Sequence, residues 1–363
     1  MRITFTGDIL CYQSQDSHCR KADGSYDYAP IFEGVKPILH EADYVVGSFE
    51  TTCAGAKAGY TRAATSFNTP DEFLPALKEA GFDLLTTANN HCLDRGEVGL
   101  LRTVSKIREA GMEQTGTRLS ADEPTFIVKD FDGTKVAFVA YTYGTNSLSN
   151  GHLLAKDKAW MVNLTRPQDV PVKRPLWKRI ILALLPSALR PRRKAGIVQD
   201  CVAEREVTSG RNTEYEAAMV EVIRQARKEA DIVIFCLHAG GQFNSKVGTY
   251  TQHLFDVIYD AGADVIVCNH AHTILPVYKR GKCLIASALG NFSFTPGEGY
   301  WVDGVDADYS LVLHLDVDNK VIKDYQFSIC RSVINGNGLG ISTIANSNTV
   351  KYQMITKMIC CDE

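Results

Sequence analysis

Two histidines one residue apart, His270 and His272, follow the apolar run 265–268. Imidazole is a common metal ligand, and in extended backbone residues i and i+2 point to one side. The pair therefore converges on one ion from a strand end, or splays toward two adjacent ions if the chain turns between them. Alone, His-x-His is short enough that a polar loop produces it as readily. Other apolar runs in this chain end in a similar way, however: run 3–7 leads into Asp8, 44–49 into Glu50, 83–87 into Asn89-Asn90-His91, and 232–237 into His238. Each alone has a plain explanation, Asp8 and Asn89-Asn90 as turn residues, Glu50 as a surface charge, His238 as a satisfied core histidine. Together, five strand ends offering carboxylate, amide and imidazole groups and no thiolate favour a hard or borderline divalent cation such as Mn²⁺, Zn²⁺, Fe²⁺ or Mg²⁺.

The elements that must carry these groups alternate in period. Strand-like runs at 3–7, 44–49, 83–87, 136–142, 232–237, 265–268, 284–287, 309–317 and 321–330 are separated by helical patterns at 28–42, 71–80, 97–110, 213–230 and 250–261. In the fourth helix Tyr215, Met219, Val222, Ile223 and Ala226 form one stripe, and Asn212 is placed to cap it. Three of the helices stop at Ala-Gly, where Gly81, Gly111 and Gly262 can take the left-handed conformation. Asp318-Asn319 separates the last two strands as a hairpin turn. Such alternation predicts a layered α/β domain with a mixed sheet, and ligand sites in α/β sheets lie outside the carboxyl ends of the strands.

Composition narrows the function classes. The 363 residues are 45% hydrophobic and 22% charged, enough to bury a sizeable core in one large or two smaller α/β units. Eleven cysteines, an odd number, are scattered singly without a Cys-x-x-Cys pair, which argues against a zinc ribbon or a dithiol redox site. The chain enters a strand at once, with no basic and apolar leader of the signal-peptide kind, so a cytoplasmic protein is expected. A net charge of −3 speaks against a nucleic-acid partner.

Several of these segments, taken together, resemble the CapA family of capsule and poly-γ-glutamate synthesis proteins, whose fold is similar to the calcineurin-like metallophosphoesterases. The matching stretches are Gly7-Asp8, Gly47-Ser-Phe-Glu50, Ala80-Gly-Phe-Asp83, Ala88-Asn-Asn-His-Cys-Leu-Asp94-Arg-Gly96, His238-Ala-Gly240, Gly262-Ala-Asp-Val, His270-Ala-His272 and Ser287-Ala-Leu-Gly-Asn-Phe292, spanning Asp8 to about Phe294. The resemblance implies a four-layer α/β/β/α sandwich with mixed sheets, one domain over 1–363 with a basic insert at about 152–200. It implies one or two divalent metal ions, with Glu50 bridging, Asp8 serving one ion, Asn90 and His238 the other, and His270 and His272 shared. His91 stands where the superfamily keeps the acid that protonates the leaving group, and Asp94 would set its tautomer. The nucleophile implied is metal-bound hydroxide. Two positions differ from the phosphoesterase pattern: Leu10 replaces the histidine of Asp-x-His, and Glu50 replaces a bridging aspartate. The expected function is a metal-dependent hydrolase of a polymer precursor, phosphoester or amide. The alternative is a non-catalytic subunit of a membrane-associated polymer synthesis or export complex, which would have no need of a proton donor at His91.

Charge is sharply segregated. Residues 156–194 hold eleven Lys or Arg against two Asp, a local +9, while the rest of the chain carries 28 basic and 40 acidic residues, or −12. Between Pro175 and Pro186 lies a short apolar stretch with Trp177, Ile180, Ile181, Leu184 and Leu185, too short for the roughly 20 residues that span a bilayer. Three readings stay open: a segment lying on an anionic membrane, a lid over the strand ends, or a solvated loop. Each cation near an anionic leaflet contributes about 1 kcal/mol. On the membrane reading the protein co-sediments with anionic vesicles and not with neutral ones, and loses this at high salt or on deletion of 173–194. Absence of binding to anionic vesicles at low salt rules that reading out.

Overall fold

The computed structural model describes residues 1–62, 66–170, 201, 202, 210, 212–294, 307–335, 338–344, 353, 355 and 356; the basic segment 173–194 and its three readings lie outside them. In chain order the strands are β1 (Arg2–Ile9), β2 (Tyr44–Phe49), β3 (Leu84–Thr86), β4 (Glu113–Thr115), β5 (Phe126–Phe131) and β6 (Thr134–Thr142). They continue with β7 (Ile232–His238), β8 (Val265–Asn269), β9 (Ile274–Arg280), β10 (Cys283–Leu289), β11 (Tyr309–Asp318), β12 (Val321–Asn335) and β13 (Gly338–Thr343). The helices are α1 (Gln13–Cys19), α2 (Ala29–Phe32), α3 (Lys36–His40), α4 (Phe73–Ala80), α5 (Gly96–Glu109), α6 (Ser147–Asn150), α7 (Thr213–Glu229) and α8 (Thr249–Ala261).

One sheet has the order β13-β12-β11-β1-β2-β3-β4 and the other β5-β6-β7-β8-β10-β9. In the first, β1 to β4 are parallel and β11 to β13 extend them antiparallel. In the second, β6, β7, β8 and β10 are parallel, and β5 and β9 close the two edges as antiparallel hairpin partners. Strands β2, β7 and β8 are buried at every residue, as parallel strands covered on both faces must be. The core between the sheets joins Ile3, Phe5 and Leu313 of one to Phe138, Ile234 and Val267 of the other, and Phe138 meets Phe5 and Tyr44 with ring centroids 6.4 and 5.5 Å apart. Phe32, Leu39 and Leu77 of α2, α3 and α4 cover the outer face of the first sheet. Met219, Ile223, Leu254 and Ile258 of α7 and α8 cover the second, which completes the α/β/β/α sandwich. Among the described residues no helix is long and apolar enough to cross a membrane.

Local chemistry sets several boundaries. Gly81 and Gly262 end α4 and α8 at φ of 111° and 105°, conformations that a side chain would oppose. The β11–β12 hairpin turns on Asn319 and Lys320, both at positive φ, the pattern that matches strand twist in a two-residue loop. The single helix expected over 28–42 is instead two short ones. Pro30 and Pro37 each sit in a first turn, and between them Gly34 lies so near β13 that a Cβ there would be 2.4 Å from the Ile341 carbonyl oxygen. Asn212 does occupy the N-cap position of α7, yet its side chain makes no capping bond. Residues 162–164 dock on the sheet ends through bridges Thr117 to Val162 and Thr142 to Leu164, with Asn163 donating to the Ala140 and Thr125 carbonyls.

The two sheets are pinned together at the end where β1 and β10 finish. Asp8 N–H donates to the Gly290 carbonyl at 2.9 Å, Phe292 N–H donates to the Asp8 carbonyl at 2.9 Å, and a Cβ on Gly7 would fall 2.0 Å from Gly290 O. Because that obstacle is backbone, Gly7→Ala is expected to destabilise by about 2 kcal/mol or more, within the range for overpacked sites. Gly144→Ala meets nothing within 4 Å and is expected to be neutral or slightly stabilising. Urea denaturation of both variants checks the pair; equal stability would show that the seam yields.

Candidate metal centre

The groups at the strand ends meet in one place. Asp8 lies near the end of β1, Glu50 directly after β2, Asn90, His91 and Asp94 in the turn after β3, His238 at the end of β7, and His270 and His272 just past β8. All eight side chains are buried, at 0–5% exposure. The His238 and His270 ring centroids are 4.9 Å apart and those of His270 and His272 are 5.8 Å apart. Glu50 is the hub: its Oε1 lies 3.3 Å from His238 Nε2, 3.7 Å from His270 Nδ1, 3.7 Å from His272 Nε2 and 4.0 Å from His91 Nε2. Asp8 Oδ1 is 3.8 Å from His238 Nδ1 and its Oδ2 is 3.4 Å from His272 Nδ1. Asn90 Oδ1 sits 2.8 Å from His238 Nε2.

These atoms resolve into two groups with ligand atoms within 4.8 Å of one another, Glu50-His238-His270 and Asp8-Glu50-His272. Glu50 belongs to both groups, His270 to the first and His272 to the second. The donor set suits divalent cations on physical grounds. Neither Glu50 oxygen nor His238 Nδ1 has a hydrogen-bond partner, although all are buried. Among the described residues no Lys or Arg pairs with Asp8 or Glu50. Burial foremost, and for Asp8 the neighbouring Glu50 charge next, pushes both carboxyls up to about 8, while burial takes His238 down to about 4 against the pull of Asp8. Yet Asp8 accepts from Ser48 Oγ at 3.0 Å and from His270 N–H at 3.0 Å, donors that suit its ionised form.

His91 faces the centre differently. Burial opposes its imidazolium, but the charge and hydrogen bond of Asp94 outweigh that and raise its pKa. Its Nδ1 is 2.6 Å from Asp94 Oδ2, which also accepts the Phe67 N–H at 2.6 Å, and Phe67 stands edge-on to the His91 ring at 4.5 Å. A carboxylate oxygen already holding one N–H makes Nδ1 the protonated nitrogen and turns Nε2 toward Glu50. Asn146, in the left-handed conformation at φ 51°, brings its amide nitrogen 3.4 Å from that Nε2 and 3.5 Å from Nδ1. Leu10, where an imidazole is found in phosphoesterases, is buried against Phe67 and Phe294, with its N–H and C=O both bonded to Ser293 Oγ.

Sequence reasoning did not single out Asn146, Tyr143 or Asn291 as parts of this site. Tyr143 lies against the His270 ring at 5.0 Å, and Asn291 Oδ1 is 2.8 Å from His272 Nδ1. Asn291 stood in the Gly-Asn-Phe segment, so its position was marked though its role was not. Asn146 had no local signal at all, since it reaches His91 from the other sheet. His270 and His272 both adopt positive φ, 97° and 58°, a conformation unfavourable for histidine that persists only where surrounding bonds enforce it.

The carboxyl shifts give a pH signature for metal-free protein. A carboxyl whose pKa is raised on folding contributes stability below its unfolded value and loses it as pH rises through the folded one. His238 runs oppositely, losing stability only as pH falls from 6.5 toward about 4, so between pH 6.5 and about 8 the carboxyls dominate. In chelator the Tm is expected to fall across that window. Added Mn²⁺ or Zn²⁺ should restore it at pH 8, by about 2.7 kcal/mol at 100 times Kd. Glu50→Gln should flatten the pH slope and abolish the metal response. A metal-free Tm that is constant from pH 6.5 to 8 would contradict the buried-carboxylate pair.

Known proteins resemble this chain in sequence. Residues 2–296 match the family model described as "Bacterial capsule synthesis protein PGA_cap". The chain is 24% identical over 363 residues to "Capsule biosynthesis protein CapA" of Bacillus anthracis, covering 98% of this chain and 73% of that one. It is 25% identical over 303 residues to "PGA biosynthesis protein CapA" of Bacillus subtilis (strain 168), covering 82% of this chain and 64% of that protein. A hypothetical protein from Thermus thermophilus superposes with a TM-score of 0.46 at 12% identity, over 91% of this chain and 98% of the other. The chain belongs to the CapA-type family of bacterial capsule synthesis proteins.

Proposed function

We propose that the chain is a metal-dependent hydrolase that cleaves a phosphoester or amide in a capsule or poly-γ-glutamate precursor. The observation that carries this reading is the His91–Asp94 pair, whose 2.6 Å contact aims His91 Nε2 at Glu50 from 4.0 Å, beside the two ligand groups. Asp8, Glu50, Asn90, His238, His270 and His272 would hold one or two divalent ions. Bound there, such ions polarise a phosphoryl or carbonyl oxygen and lower the pKa of water.

The remaining work falls to the protein's own groups. Asp94 keeps the His91 proton on Nδ1 and stabilises the imidazolium, so that Nε2–H is available to the leaving oxygen or nitrogen as its bond breaks. Phe67 fixes this pair from both sides, with its N–H on Asp94 and its ring on His91. Asn146 would donate to the same leaving atom from the opposite sheet. Phe67, Leu10 and Phe294 form an apolar wall that keeps bulk water from the site, which strengthens each charge interaction inside it. The capsule and PGA context comes from the relatives' names; a polymer synthesis complex, and an anionic membrane surface met through 173–194, are the partners we propose.

The second reading, a non-catalytic accessory subunit, draws support from Leu10, whose apolar packing leaves the Asp8 group one imidazole short. The two readings separate on His91→Ala. For a hydrolase, turnover of a phosphodiester or γ-glutamyl amide panel is expected to fall by about 10²-fold or more with metal content unchanged. Asp94→Asn should reduce turnover through the wrong tautomer, again without metal loss. Loss of metal in His91→Ala would make His91 a ligand, and metal-loaded wild type inert across the panel would favour the accessory subunit.

A further inference from the structure

Asn291 stands behind the second ligand group, fully buried, in the turn that follows β10. Its backbone is strapped to the end of β1: it bridges Asp8, and its neighbours Gly290 and Phe292 exchange hydrogen bonds with Asp8. Its amide nitrogen donates to the His272 carbonyl at 3.3 Å and to the Ala307 carbonyl at 3.0 Å. Carbonyl oxygens only accept, so both N–H bonds of the amide are committed and the side chain cannot be turned over without placing Oδ1 against two oxygens. Oδ1 is therefore the atom that faces His272 Nδ1 at 2.8 Å. An amide oxygen only accepts as well, which leaves Nδ1 as the nitrogen carrying the proton.

We propose that Asn291 is a positioning residue that locks His272 in its Nδ1–H tautomer and so directs the Nε2 lone pair at the cation held with Asp8 and Glu50. On the far side of the ring Nε2 looks toward Glu50 Oε1 at 3.7 Å, while Nδ1, 2.8 Å from Asn291 Oδ1, also lies 3.4 Å from Asp8 Oδ2, a second acceptor that suits a proton on Nδ1. The same amide holds the left-handed backbone of His272 through its carbonyl, so one side chain bears on both the ring and the backbone. Partners of this kind behind a metal-binding histidine typically change affinity by 10–100-fold when removed. The proposal rests on reading Asp8, Glu50 and His272 as a metal site, and its test separates the two.

The tautomer is read in metal-free wild-type protein by ¹⁵N–¹H correlation of the histidine rings, with His272→Gln supplying the assignment. The expected pattern is a proton on Nδ1 and a bare Nε2. Zn²⁺ titration by calorimetry then compares wild type with Asn291→Ala, whose fold is verified by circular dichroism; a Kd about 10–100-fold weaker is expected. His272 protonated on Nε2 in wild type overturns the proposal, and so does a folded Asn291→Ala that binds Zn²⁺ as tightly as wild type. If Asn291→Ala does not fold, the wild-type tautomer alone decides. Wild type that binds no Zn²⁺ while showing the Nδ1–H tautomer instead refutes the metal site on which the proposal rests.

Discussion

Two carboxylates buried side by side, with no Lys or Arg among the described residues to balance them, are the constraint on which the rest of the structure depends. Asp8 and Glu50 are wholly inaccessible, and their nearest charged-capable neighbours are histidines, of which His238 is held neutral by burial. A buried unpaired carboxylate costs several kcal/mol and takes up a proton unless a positive charge compensates it. Ser48 and the His270 N–H nevertheless donate to Asp8, which is the hydrogen bonding of a carboxylate rather than an acid. Glu50 with His238 and His270, and Asp8 with Glu50 and His272, form groups that could hold such a charge. Cations held by Glu50 and its imidazole neighbours reconcile the burial, the empty Glu50 oxygens and the donors on Asp8.

The sandwich exists in a form that serves this constraint. Parallel strands deliver their carboxyl ends to one side, and the centre draws from β1, β2 and β3 of one sheet and β7 and β8 of the other. Gly7 against Gly290 closes the seam beneath it, and Asp8 is bonded there through its backbone and its side chain at once. The strained backbones of His270 and His272 follow from the same need. Two ligands one residue apart in a regular strand would both point to one side, whereas positive φ at each turns them into separate groups. Phe67, packed with Leu10 and Phe294, meets the His91 ring edge-on and so ties the His91–Asp94 pair to the same apolar cluster.

Much of the fold is legible in the sequence. Apolar runs that end in Asp, Glu, Asn or His mark both a strand and its polar end, and Asp8, Glu50, Asn90, His238, His270 and His272 all stand at or just beyond such ends. Short or edge strands were not legible in this way. β4 has three residues, and β9 begins only two residues after His272, inside what reads as a ligand loop. β5 was missed despite its Asp132-Gly133 turn, a hairpin signal with both residues at positive φ. The break between α2 and α3 depends on Gly34 touching β13, a contact more than 300 residues distant in sequence and so invisible locally. Asn146 and Asn291 belong to the same class, because each acquires its partner only when the sheets close.

The claim that the buried carboxylates exist to hold cations is tested most directly by elemental analysis of protein purified without chelators and reloaded with Mn²⁺ or Zn²⁺. Wild type should retain at least one divalent ion per chain after exhaustive buffer exchange, and the double variant Asp8→Asn/Glu50→Gln, folded and with its imidazoles intact, should retain none. Wild type that holds no ion after reloading, or a double variant that holds as much as wild type, would contradict it.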